Sequence, residues 1–208
     1  EGWVILEAQP QSRIYAGLKT GVTLGELQIL SQANVDDALP SFAPSPGQSV
    51  LVEAGDVHAL GDGVVVLEVQ QNSDVTFRLY DWDHIDPATG RTRPLQIEKA
   101  LECVDLAQGV IGPVVPLVEA ISPFRRERLL DCRHFRLWRI RGSAPFDVDT
   151  MDAPMVLVCV DGSGNIEHGG LDFPLTRGNV MLLPAAAGVC RFRPEGDATL
   201  LEIAVPSD

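Results

Sequence analysis

Short runs of β-branched and aromatic residues, cut by glycine and proline turn signals, limit what this chain can fold into. Residues 50–53, 64–70, 76–80, 129–140, 155–160, 179–183, 189–192 and 199–205 read as strands. Between them Ser45-Pro46-Gly47, Gly61-Asp62-Gly63, Asp86-Pro87-Ala88-Thr89-Gly90, Asp161-Gly162-Ser163-Gly164 and Pro194-Glu195-Gly196-Asp197 supply turns. With 19 Gly and 15 Pro in 208 residues, an all-helical fold is excluded. The spacing of the runs predicts a mainly β fold, an antiparallel sandwich or barrel.

Two helical segments interrupt the pattern. Thr23 and Glu26 have capping-box spacing, with Leu24, Leu27 and Leu30 on one face, which predicts a helix over 24–33. A second helix is expected over 95–106. The proline-rich stretch that follows, Gly109-Val110-Ile111-Gly112-Pro113-Val114-Val115-Pro116, predicts a linker over 109–128 between a first domain, 1–108, and a second, 129–208. The halves look repeated: GQSVLVEAG from Gly47 aligns with GNVMLLPAA from Gly178, with turn, strand and small-residue corner at matching offsets. Carrying that register forward sets His58 opposite Val189. On that reading the second copy lacks the polar group, and the first half alone holds an active site.

Charge narrows the partners. Sixteen basic against 29 acidic residues leave a net charge of −13, which repels a phosphate backbone, so nucleic acid is excluded as a partner. The cluster Arg125, Arg126, Arg128, Arg133, Arg136, Arg139 and Arg141 reads as a charge-balanced face. No apolar run approaches the roughly 18 to 20 residues that span a bilayer, so no membrane partner is expected either. The chain opens at Glu1 with no basic or apolar leader, and Cys103, Cys132, Cys159 and Cys190 form no CxxC pair. The expectation is a cytoplasmic protein with reduced, buried cysteines; the sequence leaves its oligomeric state open.

His58 follows a glycine corner, Glu53-Ala54-Gly55-Asp56-Val57-His58, which resembles the second cupin motif, PxGxxH, with Glu53 in the place of the proline. That motif sets a histidine at the mouth of a small β-barrel as a metal ligand. Four further blocks carry a more specific likeness: Val57-His58-Ala59-Leu60-Gly61, then Glu68-Val69-Gln70-Gln71-Asn72-Ser73-Asp74, then Arg78-Leu79-Tyr80-Asp81-Trp82, and Ile97-Glu98-Lys99-Ala100-Leu101. In this order, with Glu1-Gly2-Trp3 resembling the end of a GKTExW segment and Ile14-Tyr15-Ala16-Gly17-Leu18-Lys19 a YAGLK element, they resemble the type I mannose-6-phosphate isomerases, especially the short bacterial form.

The resemblance implies two tandem cupin-like jelly-roll barrels, with helices attached to the first and a metal-free second. It also implies an isomerase that interconverts mannose 6-phosphate and fructose 6-phosphate through an enediol. Zinc is the implied cofactor, one ion per chain, with Glu1 and His58 as ligands. The family's QxH segment, which would supply further ligands, is not among these residues. Arg78 corresponds to the family's active-site arginine, whose fork suits an enediolate or a phosphate. Glu68 interrupts an apolar strand and is the candidate acid/base group. Asp74 and Lys99 are the candidate substrate-binding residues, and the implied ligand is a small sugar phosphate. The rival readings are a non-catalytic sugar-phosphate-binding cupin that has lost its metal, and a partner that completes another chain's site.

Overall fold

The computed structural model describes residues 1–31, 35–73, 75–150 and 153–205. The chain divides into two compact units, Glu1–Pro113 and Val114–Asp208. In the first unit the strands are β1 (Gly2–Ala8), β2 (Ile14–Ala16), β3 (Ser41–Phe42), β4 (Ser49–Leu51), β5 (His58–Leu60), β6 (Val64–Val69), β7 (Ile85–Asp86) and β8 (Arg91–Thr92). Helix α1 (Leu24–Leu30) lies between β2 and β3, and α2 (Ile97–Cys103) follows β8. Two antiparallel sheets, ordered β4-β1-β6 and β3-β2-β5, enclose a core of Trp3, Ile5, Ile14, Ala16, Val50 and Val52. A second core, with Leu18, Leu27, Leu39, Leu79 and Ala100, forms around the helices.

Helix α1 starts as its sequence dictates. The Thr23 hydroxyl accepts from Glu26 N at 3.2 Å, and the Glu26 carboxylate accepts from Thr23 N at 2.9 Å, so each satisfies an amide the first turn leaves open. Its expected last residues, 32–34, lie outside the described residues. Helix α2 is shorter than expected, because Val104 is extended at ψ 130. The strand expected over 76–80 is not formed. Arg78 instead exchanges backbone hydrogen bonds with Gln96, donating its N–H to Oε1 at 2.9 Å and accepting the Gln96 N–H at 2.8 Å.

The second unit contains β9 (Leu117–Ala120), β10 (Arg125–Asp131), β11 (Arg136–Gly142), β12 (Phe146–Asp149), β13 (Met155–Asp161), β14 (Ser163–His168), β15 (Leu171–Thr176), β16 (Val180–Leu183), β17 (Val189–Pro194) and β18 (Ala198–Ala204). A six-stranded sheet, β16-β13-β18-β11-β10-β9, and a four-stranded sheet, β12-β17-β14-β15, enclose Ile140, Leu157, Ile166, Leu175, Phe192 and Leu200. The stretch expected as a linker carries β9 and the start of β10. The single strand expected over 129–140 is a hairpin, closed where Cys132 N donates to Phe135 O at 3.1 Å. The arginines are balanced by carboxylates: Glu127 pairs with Arg125, Arg139 and Arg141, and Glu202 pairs with Arg126. Cys159 and Cys190 are buried as expected, whereas Cys103 is exposed.

Strand pairing turns the sequence repeat into a structural one. Trp3 faces Val50 and Glu68 in the first unit, and Leu157 faces Met181 and Glu202 in the second. Each central strand has a register shift two residues later, between Ile5 and Glu7 and between Cys159 and Asp161. The expected match of His58 with Val189 is corrected here. His58, though itself exposed at the start of β5, pairs with buried Ala16 and sets its ring against buried Trp3, while Val189 is 59% exposed. The first inward residue of β17 is Cys190, whose thiol lies 3.6 Å from His168 Nδ1, so the second copy has polar groups at that position. Among the described residues no helix is long and apolar enough to cross a membrane.

Candidate active site

Side chains two apart on a strand share a face, so the β1 register determines what meets inside the first unit. Trp3 points inward and is 1% exposed. Glu68, directly opposite on β6, and Glu1, two residues before Trp3, therefore lie on the same face. From the other sheet, β5 presents His58. The three side chains converge: His58 Nε2 lies 2.7 Å from Glu1 Oε1, and the imidazole meets the Trp3 ring edge-on at 5.4 Å.

The corner before His58 is built to aim it. Gly55 has φ +98, and a Cβ there would stand 2.9 Å from the Cys103 carbonyl oxygen, so only glycine fits without strain. Asp56 closes the turn, its carboxylate accepting the Glu53 N–H at 2.7 Å. The Asp56 carbonyl lies 2.8 Å from His58 Nδ1, which orients the ring and leaves Nε2 facing Glu1.

Each member of the group has a perturbed proton affinity. The hydrogen bond from His58 holds the Glu1 carboxyl below the usual carboxylate range. Burial, then the negative charge of Glu1 and a hydrogen bond to it, push the Glu68 carboxyl up. Burial works against charging His58, but the bonds to Glu1 and to the Asp56 carbonyl outweigh it and raise the imidazole. Glu1 is thus shifted toward the anion, and its neighbours on either side are shifted toward their protonated forms. Opposed shifts among neighbours within a barrel are what acid/base chemistry requires.

The other expected site residues have partners of their own. Arg78 approaches Asp81, with Nε at 3.7 Å from Oδ1, and Lys99 Nζ lies 5.8 Å from the Phe77 ring centre. Asp74 lies outside the described residues. Sequence reading missed Asp56, Asp81, Arg93 and Gln96, which hold the others in place. The signal for Asp81 was available, as an acid three residues after Arg78 in the same block.

Glu1 and His58 offer two converging donors, but among the described residues no group of three or more His, Cys, Asp or Glu is placed to hold a metal ion. A zinc site normally needs three or four protein ligands, so these residues do not by themselves make one. In the second unit Met155 stands two residues before Leu157, as Glu1 does before Trp3, and Glu202 faces Leu157 as Glu68 faces Trp3. With Met155 in place of that carboxylate, Glu202 pairs instead with Arg126 at 2.6 Å.

No family model matches the chain. It is 33% identical over 207 residues to the mannose-6-phosphate isomerase ManA of Bacillus subtilis strain 168, which covers 95% of the chain and 62% of that protein. The chain therefore spans less than two thirds of this curated relative. A crystal structure of the mannose 6-phosphate isomerase from Bacillus subtilis superposes with a TM-score of 0.85 at 25% identity, covering 97% of the chain and 63% of that structure. The mannose 6-phosphate isomerase of Salmonella typhimurium, solved with fructose 6-phosphate and zinc, shares the fold at a TM-score of 0.70 and 12% identity, over 100% of the chain and 66% of that structure. The mainly β architecture is that of cupin-like jelly rolls, and by sequence and fold together the chain is similar to the mannose-6-phosphate isomerases.

Proposed function

We propose that this chain carries the isomerase chemistry of these relatives, interconverting mannose 6-phosphate and fructose 6-phosphate in the first unit. The observation that supports this most is the convergence of Glu1, His58 and Glu68 on the inward face of that unit, in a chain aligned over 95% of its length with a named isomerase. Moving a proton between C1 and C2 of a sugar phosphate passes through an enediol and needs a group that can both take and give that proton. Glu68, beside Glu1 and with its proton affinity raised by burial and by that neighbour's charge, fills this role. Negative charge develops on the C1 and C2 oxygens, and the Arg78 guanidinium, always charged and forked, stabilises it or holds the phosphate. Lys99, and Asp74 by its place in the motif, bind the substrate.

Zinc is the proposed cofactor, with Glu1 and His58 as the two donors these residues contribute. Such an ion would polarise the sugar oxygens; the proton transfer itself is assigned to Glu68. The test is metal analysis of the gene product that contains these residues, with a coupled fructose 6-phosphate assay on His58→Ala and Arg78→Ala. Loss of zinc and turnover in His58→Ala, and of turnover with zinc retained in Arg78→Ala, is the expected pattern. Unchanged turnover in both variants would refute the assignment.

A further inference from the structure

Asp81 stands beside Arg78 with its carboxylate 12% exposed, and two arginines share it unequally. Arg93 engages both oxygens, Nε donating to Oδ2 at 2.9 Å and Nη2 to Oδ1 in a shorter contact. Arg78 approaches only Oδ1, through Nε at 3.7 Å, which is beyond hydrogen-bonding distance. A bidentate fork is the strongest engagement a carboxylate can make with one side chain, so Asp81 is already neutralised from the Arg93 side. The Arg78 backbone is fixed on both its N–H and its C=O by Gln96, while its terminal nitrogens have no hydrogen-bond partner among the described residues. With Arg93 engaging both oxygens of Asp81, Arg78 keeps its charge unengaged; without Arg93, Asp81 would face Arg78 alone.

We propose that Arg93 is a positioning residue that occupies Asp81 and so keeps the Arg78 guanidinium free for an anionic oxygen of a sugar phosphate, an inference that rests on the proposed role of Arg78. Removing Arg93 hands the carboxylate to Arg78, and removing the carboxylate as well releases Arg78 again.

The experiment is calorimetric titration of the gene product containing this chain with fructose 6-phosphate, alongside steady-state kinetics. Arg93→Ala weakens binding about two- to fivefold, the range of a partly exposed ion pair. The loss lies in KM, with kcat within about twofold. Adding Asp81→Asn to Arg93→Ala restores the affinity, and Arg93→Lys, which keeps the charge but loses the fork, falls between. If the pair merely braced the loop, the double variant would bind no better than Arg93→Ala, and that result overturns the inference. Arg78→Ala separates the two ideas. Unaltered binding in that variant refutes the role of Arg78, whereas weakened binding there with wild-type affinity in Arg93→Ala refutes the role of Arg93 alone.

Discussion

Glu127→Gln tests how the second unit is held together. The carboxyl is 3% exposed and meets Arg125 at 2.8 Å, Arg139 at 2.7 Å and Arg141 at 2.9 Å. Burial opposes its ionisation, but the hydrogen bonds and charges of the three arginines prevail and bring it down to about 2 from an ordinary 4.5. Each pH unit of that gap is worth about 1.4 kcal/mol, so ionised Glu127 adds roughly 3 kcal/mol to the folded state. A carboxyl lowered in the folded state gives stability that is present above about pH 4.5 and is lost as pH falls toward 2. Glu127→Gln keeps the shape, removes the charge and leaves Arg139, 8% exposed, without it. The expected loss at pH 7 is about 3 kcal/mol, or roughly 6 to 12 °C in Tm. Urea unfolding followed by circular dichroism, with amide exchange in β10 and β11 to localise the effect, measures it. The gap between wild type and variant should narrow by about 1.4 kcal/mol per pH unit below pH 4.5. A gap near zero at pH 7, or one that stays constant down to pH 3.5, would refute the reasoning.

Two further substitutions probe the first unit. Thr23→Ala removes the N-cap of α1 and its reciprocal bond with Glu26, at a cost of about 1 kcal/mol by urea denaturation; a change below about 0.3 kcal/mol would mean the capping box is idle. Gly55→Ala forces a Cβ toward the Cys103 carbonyl at φ +98, costing roughly 1 to 3 kcal/mol, and should shift the His58 imidazole resonances because the same corner aims that ring. Wild-type stability and unmoved resonances would contradict the role given to the corner.

The sequence revealed the mainly β class, the capping box and the glycine corner before His58, because each rests on a local pattern. Its failures share one cause, the replacement of local signal by distant partners. Residues 76–80 alternate like a strand, yet Gln96, eighteen residues on, takes the backbone bonds of Arg78. The repeat was visible at Gly47 and Gly178, but extending it as a fixed offset put Val189 where the pleat puts Cys190. A slip of one residue moves a side chain to the opposite face, and only strand pairing detects it. Asp56 and Arg93 act through turns and bridges that no spacing rule singles out.

The two units supply a matched control for the central claim, since Glu68 and Glu202 occupy the same register on equivalent strands. The decisive measurement is fructose 6-phosphate turnover by Glu68→Gln and Glu202→Gln in the gene product that contains this chain. Turnover should fall by about a hundredfold or more in Glu68→Gln, as expected on losing an acid/base group, and should survive in Glu202→Gln. Retained turnover in Glu68→Gln, or an equal loss in Glu202→Gln, would contradict the assignment of the chemistry to the first unit.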